Sequence, residues 1–252
     1  MSDKELQPNN PWQALQQFTK ARIGIGRTGT SIPMTGLLEF RLAHAHARDA
    51  VYSKLDADGL TDGLRQFDLP VAQLSSKAVY REQYLKMPGL GRDLDEASTE
   101  QLNIYASGAD IVIIIADGLS ATAVNENAVK LLEILVPMLI SSKFKLAPFC
   151  LVKQGRVAIG DDVATVLKAK LSLILIGERP GLSAADSMGA YLTYEPRDGL
   201  TDEARNCISN IRHNGLNHVQ AADKIFYLIQ QAFRKKLSGV LLKDDEQGGY
   251  FR

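Results

Sequence analysis

The sequence is short of nearly every signal that assigns a function class by composition. It has two cysteines, Cys150 and Cys207, and four histidines, with no spaced Cys/His cluster. Neither a disulfide framework nor a structural zinc site is the natural reading, and a reducing interior is expected. Net charge is missing too: Lys plus Arg and Asp plus Glu stand at 29 each. No global field then draws the chain onto nucleic acid or an anionic membrane. No apolar run approaches the roughly 20 residues of a membrane span, and the start, Met1-Ser-Asp-Lys-Glu-Leu-Gln, lacks the basic-then-apolar layout of a secretory signal. A soluble intracellular protein is expected, with no nucleic acid and no membrane as partner. At 252 residues it holds one large domain, or a sheet-centred domain with a smaller companion.

What is present is a set of short, fully apolar runs that stop at shaped loops. Leu171 to Ile176, broken only by Ser172, ends at Gly177-Glu-Arg-Pro-Gly181. It is too short for an ordinary helix and too apolar for a strand with one wet face, so it reads as a strand covered on both sides. Ile111 to Ile115 is β-branched throughout and ends at Asp117-Gly118. Asp117 to Thr122 then opens a helix from Val124 to Leu139, as caps or as amide donors. Further strands are read at Ala147 to Val152, at Met188 to Tyr194 and toward Asn206 to Arg212. Helices are read from Asp161 or Asp162 to Lys168 and from Ala221 to Leu237. From Ile111 onward strands alternate with helices, which predicts a largely parallel sheet of doubly wound type.

The first part of the chain has a different character. Trp12, Leu15 and Phe18 form a thin apolar stripe at helical spacing, and Thr35 to about Leu60 reads as an amphipathic helix. Residues 61–105 carry turns and a helical piece around Ala78 to Met87. Gly24, Gly26 and Gly29 match GxGxxG letter for letter, but that fingerprint needs a strand before it and a helix after it, and here a polar helix precedes it and Pro33 follows. A connecting loop is expected instead. His44 and His46, two apart on a helix, point in different directions and make no metal site.

Ligands of open parallel sheets bind at the carboxyl ends of the strands. The loops around Asp117-Gly118, Gly177-Glu178 and Asn206-Cys207, with the turn before Val157, are therefore candidates to converge on one crevice. Neither His213 nor His218 sits in a triad context, and glycine-rich turns with a few polar groups suit holding a cofactor better than breaking bonds. Glu178 and Arg179 also have a plain reading as a pair or a solvated dipeptide. A cysteine such as Cys207 is more often a small buried hydrophobe than a ligand or nucleophile.

The wording of the loops is more specific. Ala21-Arg-Ile-Gly-Ile-Gly-Arg-Thr-Gly, His44-Ala-His-Ala-Arg-Asp-Ala-Val51, Asp117-Gly-Leu-Ser-Ala-Thr-Ala, Gly155-Arg-Val-Ala-Ile-Gly-Asp, Leu175-Ile-Gly-Glu-Arg-Pro-Gly-Leu and Asn206-Cys-Ile-Ser-Asn-Ile-Arg occur in that order. Together they resemble the small (light) subunit of ethanolamine ammonia-lyase, from about residue 20 to 240. The resemblance implies an α/β fold, Rossmann-like, with a largely parallel sheet and flanking helices, preceded by a mostly helical N-terminal segment. The implied division is 1–105 for that segment with its connecting loops and 106–252 for a Rossmann-like cobalamin-binding domain.

It further implies a hetero-oligomer with a large subunit that carries most of the catalytic groups, with adenosylcobalamin between the two. Cofactor contacts of this chain are expected at Val157, Glu178 and Cys207. The implied reaction is radical, converting ethanolamine to acetaldehyde and ammonia, with this chain inactive alone. A DxHxxG signature is absent, so the cofactor is expected to keep its own benzimidazole as lower ligand. The cytoplasm or a bacterial microcompartment is the implied location. The rival reading is a stand-alone Rossmann-type oxidoreductase using a nicotinamide cofactor.

Overall fold

The centre of the protein is strand β2 (Ile111–Ala116), in which every residue is buried. A run of β-branched residues favours extended backbone, and two apolar faces require cover on both sides. In the computed structural model, which describes residues 12–106 and 108–243, β2 lies inside a six-stranded sheet of order β1-β3-β2-β4-β5-β6. The other strands are β1 (Val71–Ser75), β3 (Phe149–Lys153), β4 (Leu171–Gly177), β5 (Met188–Tyr194) and β6 (Asn206–Ile211). Strands β1, β3, β2 and β4 run parallel. Strands β5 and β6 are antiparallel to their neighbours.

The sheet is thus mixed, which corrects the largely parallel expectation for its last third. A parallel return needs a crossover of about a dozen residues or more, usually a helix. Residues 178–187 and 195–205, which join β4 to β5 and β5 to β6, contain no α-helix, so the chain turns back antiparallel. Strand β1 also went unread, although it pairs with β3 along its whole length.

Helices α1 (Gln13–Gln16), α2 (Met34–Tyr52), α3 (Ala57–Leu64), α4 (Arg81–Lys86), α5 (Glu96–Asn103), α6 (Ala121–Ser141), α7 (Ile159–Leu167) and α8 (His218–Lys235) complete the described residues. One core joins Ile111, Ile113, Ile115, Leu173 and Leu192 to residues of α3, α6 and α8. The opposite core joins Val112, Ile114, Cys150, Val152 and Ile174 to residues of α5 and α7. Burial pushes the Cys150 thiol up to about 12, as befits an inert core side chain.

The helix expected from Thr35 to Leu60 is broken: α2 ends at Tyr52, and Asp56 caps α3 by accepting from the Gly59 amide at 3.0 Å. Of the 19 residues of α2 only Ala50 is buried, and Met34, Leu38 and Leu42 are more than half exposed. Gly24, Gly26 and Gly29 all have positive φ in a loop between α1 and α2. No strand precedes them among the described residues, so the dinucleotide fingerprint lacks its context. Residues 1–11 lie outside the described residues.

Candidate functional site

The carboxyl ends of β2, β3 and β4 meet at one edge, and the backbone there is tightly interlocked. Asp117, directly after β2, is buried and accepts from the amides of Gln154 (3.0 Å) and Gly155 (3.1 Å) after β3. Burial pushes its carboxyl up, against the pull of those amides and of Arg81, whose Nη1 lies 3.8 Å away. The cap of α6 comes from Ser120, whose Oγ accepts from the Ala123 amide at 3.3 Å. Gly118 takes φ +55° as the chain crosses the end of β4, and a Cβ on Gly177 would collide with the carbonyl oxygens of Ser120 and Asp117. Only glycine permits that approach.

Above this floor lies an open cleft of about 430 Å³, lined by residues that include Gly118, Leu119, Arg156, Val157, Glu178 and Tyr191. Val157 follows β3 and packs partly against the core on the α5/α7 side. Glu178 follows β4 and is held on three sides: Ser187 Oγ donates to Oε2 and Ser209 Oγ to Oε1, each at 2.5 Å, and the Asn210 amide donates to Oε2 at 3.2 Å. Glu178 therefore bonds to the β5 and β6 ends rather than to Arg179, which is exposed and makes no ion pair among the described residues.

Cys207 does not line the cleft. It is exposed on the edge strand β6, directly opposite Tyr191 in the antiparallel register, whose hydroxyl is near enough to draw the thiol's pKa down. Opposed residues share a sheet face, so Tyr191 connects Cys207 to the cleft. Asn206 points elsewhere in the fold: its side chain is tied to Gly239 and Leu242. Of the four segments expected to converge, three do so directly, and the fourth reaches the site through Tyr191 and Ser209.

Residue-by-residue reading missed Tyr84 and Arg156. Both line the cleft, with the Arg156 guanidinium 4.2 Å from the Tyr84 ring centroid. The only sequence signal was the adjacency of Arg156 to Val157. Among the described residues no group of three or more His, Cys, Asp or Glu is clustered to hold a metal ion.

Fold and cleft together define the class: a mixed α/β protein with a ligand crevice at the strand ends, furnished with apolar walls and a few fixed polar groups. Sequence comparison supplies the family. Residues 9–243 match the model of the ethanolamine ammonia-lyase light chain (EutC). The chain is 49% identical over 254 residues to the ethanolamine ammonia-lyase small subunit of Pseudomonas aeruginosa (strain LESB58), covering 98% of this chain and 93% of that one. The namesake subunit of Azotobacter vinelandii is 48% identical over 98% and 93% of the two chains, and that of Xanthomonas campestris pv. campestris (strain ATCC 33913) 49% over 97% and 92%. The chain belongs to the ethanolamine ammonia-lyase light-chain family.

Proposed function

We propose that this chain is the small subunit of an adenosylcobalamin-dependent ethanolamine ammonia-lyase and that its cleft holds one edge of the corrin against a large catalytic subunit. The observation that carries this reading is the meeting of Val157, Glu178 and, through Tyr191, Cys207 around one open cleft, although the three are far apart in sequence. The residues fit such a ligand. A corrin presents apolar surface edged with amides, and Val157, Leu119 and Ile176 offer apolar contact beside Glu178 as acceptor and Arg156 as donor. At about 430 Å³ the cleft is within the range for drug-sized ligands, roughly 300–1,000 Å³. A larger cofactor would have to be completed from outside by a second surface.

Bound, the cofactor would supply the radical chemistry that turns ethanolamine into acetaldehyde and ammonia. The chain's own part is positional: Val157 packs, Glu178 accepts from an amide or hydroxyl, and Cys207 with Tyr191 closes the contact on the bare sheet face. In this reading 106–252 is the Rossmann-like cobalamin-binding domain, supported by its three parallel strands β2, β3 and β4 with helices on both faces. Residues 1–105 form the helical N-terminal segment, which lends β1 to the same sheet. The exposed apolar residues of α2 suit docking on the large subunit. No helix among the described residues is long and apolar enough to cross a membrane, and the cytoplasm or a bacterial microcompartment is the proposed location.

Absorbance titration of cobalamin tests the reading with this chain alone, with the large subunit alone and with both. Tight binding and ethanolamine deamination only in the mixture are expected. Glu178→Gln and Cys207→Ala should each weaken cofactor affinity of the assembled enzyme; unchanged affinity in both removes these residues from the site.

A further inference from the structure

The cleft is lined by two guanidinium groups against one carboxylate, and the carboxylate is bonded elsewhere. Arg156 and Arg179 both line it, and neither makes an ion pair among the described residues. The one carboxylate in the lining, Glu178, is taken up by Ser187, Ser209 and the Asn210 amide.

Arg156 is held in place like a built site. Its amide donates to the Gly91 carbonyl at 2.7 Å, its Nη2 makes a long 3.4 Å contact with the Tyr84 carbonyl, and its guanidinium lies over the Tyr84 ring. Tyr84 is fully buried, and its hydroxyl donates to the Gly155 carbonyl at 3.0 Å. Gly91 makes room for the stack: a Cβ there would stand 2.8 Å from Arg156 Cγ and 2.9 Å from Tyr84 Cε2.

A comparison inside the same cluster shows what is missing. Arg81, 4.8 Å from the Tyr84 centroid, is occupied by the protein, donating to Val51 O (2.7 Å), Gly118 O (2.8 Å) and Gln154 Oε1 (3.2 Å) beside Asp117. Each of the two leaves one buried nitrogen without a partner, Nη2 in Arg81 and Nε in Arg156, but Arg156 has no comparable set of acceptors and no carboxylate beside it, its one side-chain bond being the long contact with Tyr84. A desolvated guanidinium donor without an acceptor is costly and calls for an explanation. Cation–π contact fixes the plane of the group but accepts no hydrogen bond from its edge.

We infer that Arg156, with Arg179 at the rim, recognises a phosphate-type anion on the ligand of this cleft, and that Tyr84 is the positioning residue that presents Arg156. The inference rests on the cofactor reading of the cleft, where the matching group is the phosphodiester of the nucleotide tail. A free phosphate has the same chemistry.

The test measures equilibrium binding of cobalamin, of cobinamide (the corrin without phosphate and nucleotide) and of inorganic phosphate to the assembled enzyme. Arg156→Gln should weaken cobalamin binding about tenfold or more while leaving cobinamide unchanged. Arg156→Lys, which keeps the charge without the planar fork, should recover part of the loss, and Tyr84→Leu should imitate Arg156→Gln. Phosphate that competes with cobalamin but not with cobinamide identifies the tail as the source; saturable phosphate binding without competition identifies a free anion. Equal effects on cobalamin and cobinamide, or none in Arg156→Gln and Arg179→Gln, overturn the inference while the cofactor reading stands. If the wild type binds no cobalamin, that reading fails. The phosphate arm then decides alone: saturable binding lost in Arg156→Gln supports the anion site, and no binding overturns it.

Discussion

The two faces of one sheet are put to different uses. On the first, Ile113 of β2, Leu173 of β4, Leu192 of β5 and Ile208 of β6 all lie in a single core under α3, α6 and α8. On the second, cover from α5 and α7 reaches Ile174 and Ile176 of β4 and only the edge of Tyr191. Beyond it Cys207 and Ser209 of β6 are exposed. Alternation of side chains supplies two faces to every strand, but a face becomes core only where a helix is available to cover it. The last two connections carry no α-helix, so the second face of β6 stays bare at Cys207 and Ser209 and that of β5 is only half-covered at Tyr191, and the candidate site lies at that margin.

The largest expected effect tests how the second face is sealed at the end away from the cleft. There Arg205 donates to both oxygens of Asp161, at 2.8 and 2.6 Å, and to Thr193 Oγ1 at 3.1 Å, with both charged residues buried. Asp161→Ala leaves a buried guanidinium uncompensated and should cost about 3–5 kcal/mol in urea denaturation. Replacing both partners, as Asp161→Ala with Arg205→Met, should recover much of that loss, because the pair's own desolvation cost disappears with it. A small cost for the single change would mean that this end of the face is as wet as the β6 end.

Next comes the covered face itself. Leu173 is fully buried in the middle of β4, and Leu173→Ala should destabilise by about 2–5 kcal/mol, with cofactor affinity of the folded enzyme unchanged. Loss of affinity without loss of stability would show that the two faces are not separate in function.

The same comparison explains what could be read from residues alone. Strands β2, β4 and β5 were legible because both-face burial or strict β-rich runs leave a pattern in the chain, and α8 because Ile225, Ile229 and Phe233 keep helical register. Strand β1 was not: Val-Ala-Gln-Leu-Ser is a half-polar edge strand whose burial alternates, and five residues of that kind do not stand out from a loop. The antiparallel turn of β5 and β6 is not marked in the strand runs themselves, because direction is set by the helix-free connections 178–187 and 195–205. Val157, Glu178 and Cys207 were singled out by resemblance to a family, since a valine, a glutamate and a cysteine have no shared spacing rule. The Arg156–Tyr84 stack joins residues 72 positions apart, and nothing local marks either partner.

The smallest effect separates Cys207 from the core cysteine. Cys207→Ala removes an exposed side chain, so stability at neutral pH should change by no more than about 0.5 kcal/mol. Its thiol is nevertheless raised above the ordinary range, first by the burial it retains and also by the nearby Glu178 charge, against the opposing pull of the Tyr191 hydroxyl. A folded-state pKa above the unfolded one means that the folded state holds the proton longer, so this contribution is complete below the ordinary thiol range and is lost as pH rises through the folded value. Wild type should therefore lose a little stability relative to Cys207→Ala on the alkaline side of about pH 8.5, in paired denaturation series. The same shift keeps Cys207 a neutral thiol at pH 7, suited to contact rather than to attack on an electrophile. Rapid alkylation of Cys207 by iodoacetamide at that pH would contradict it.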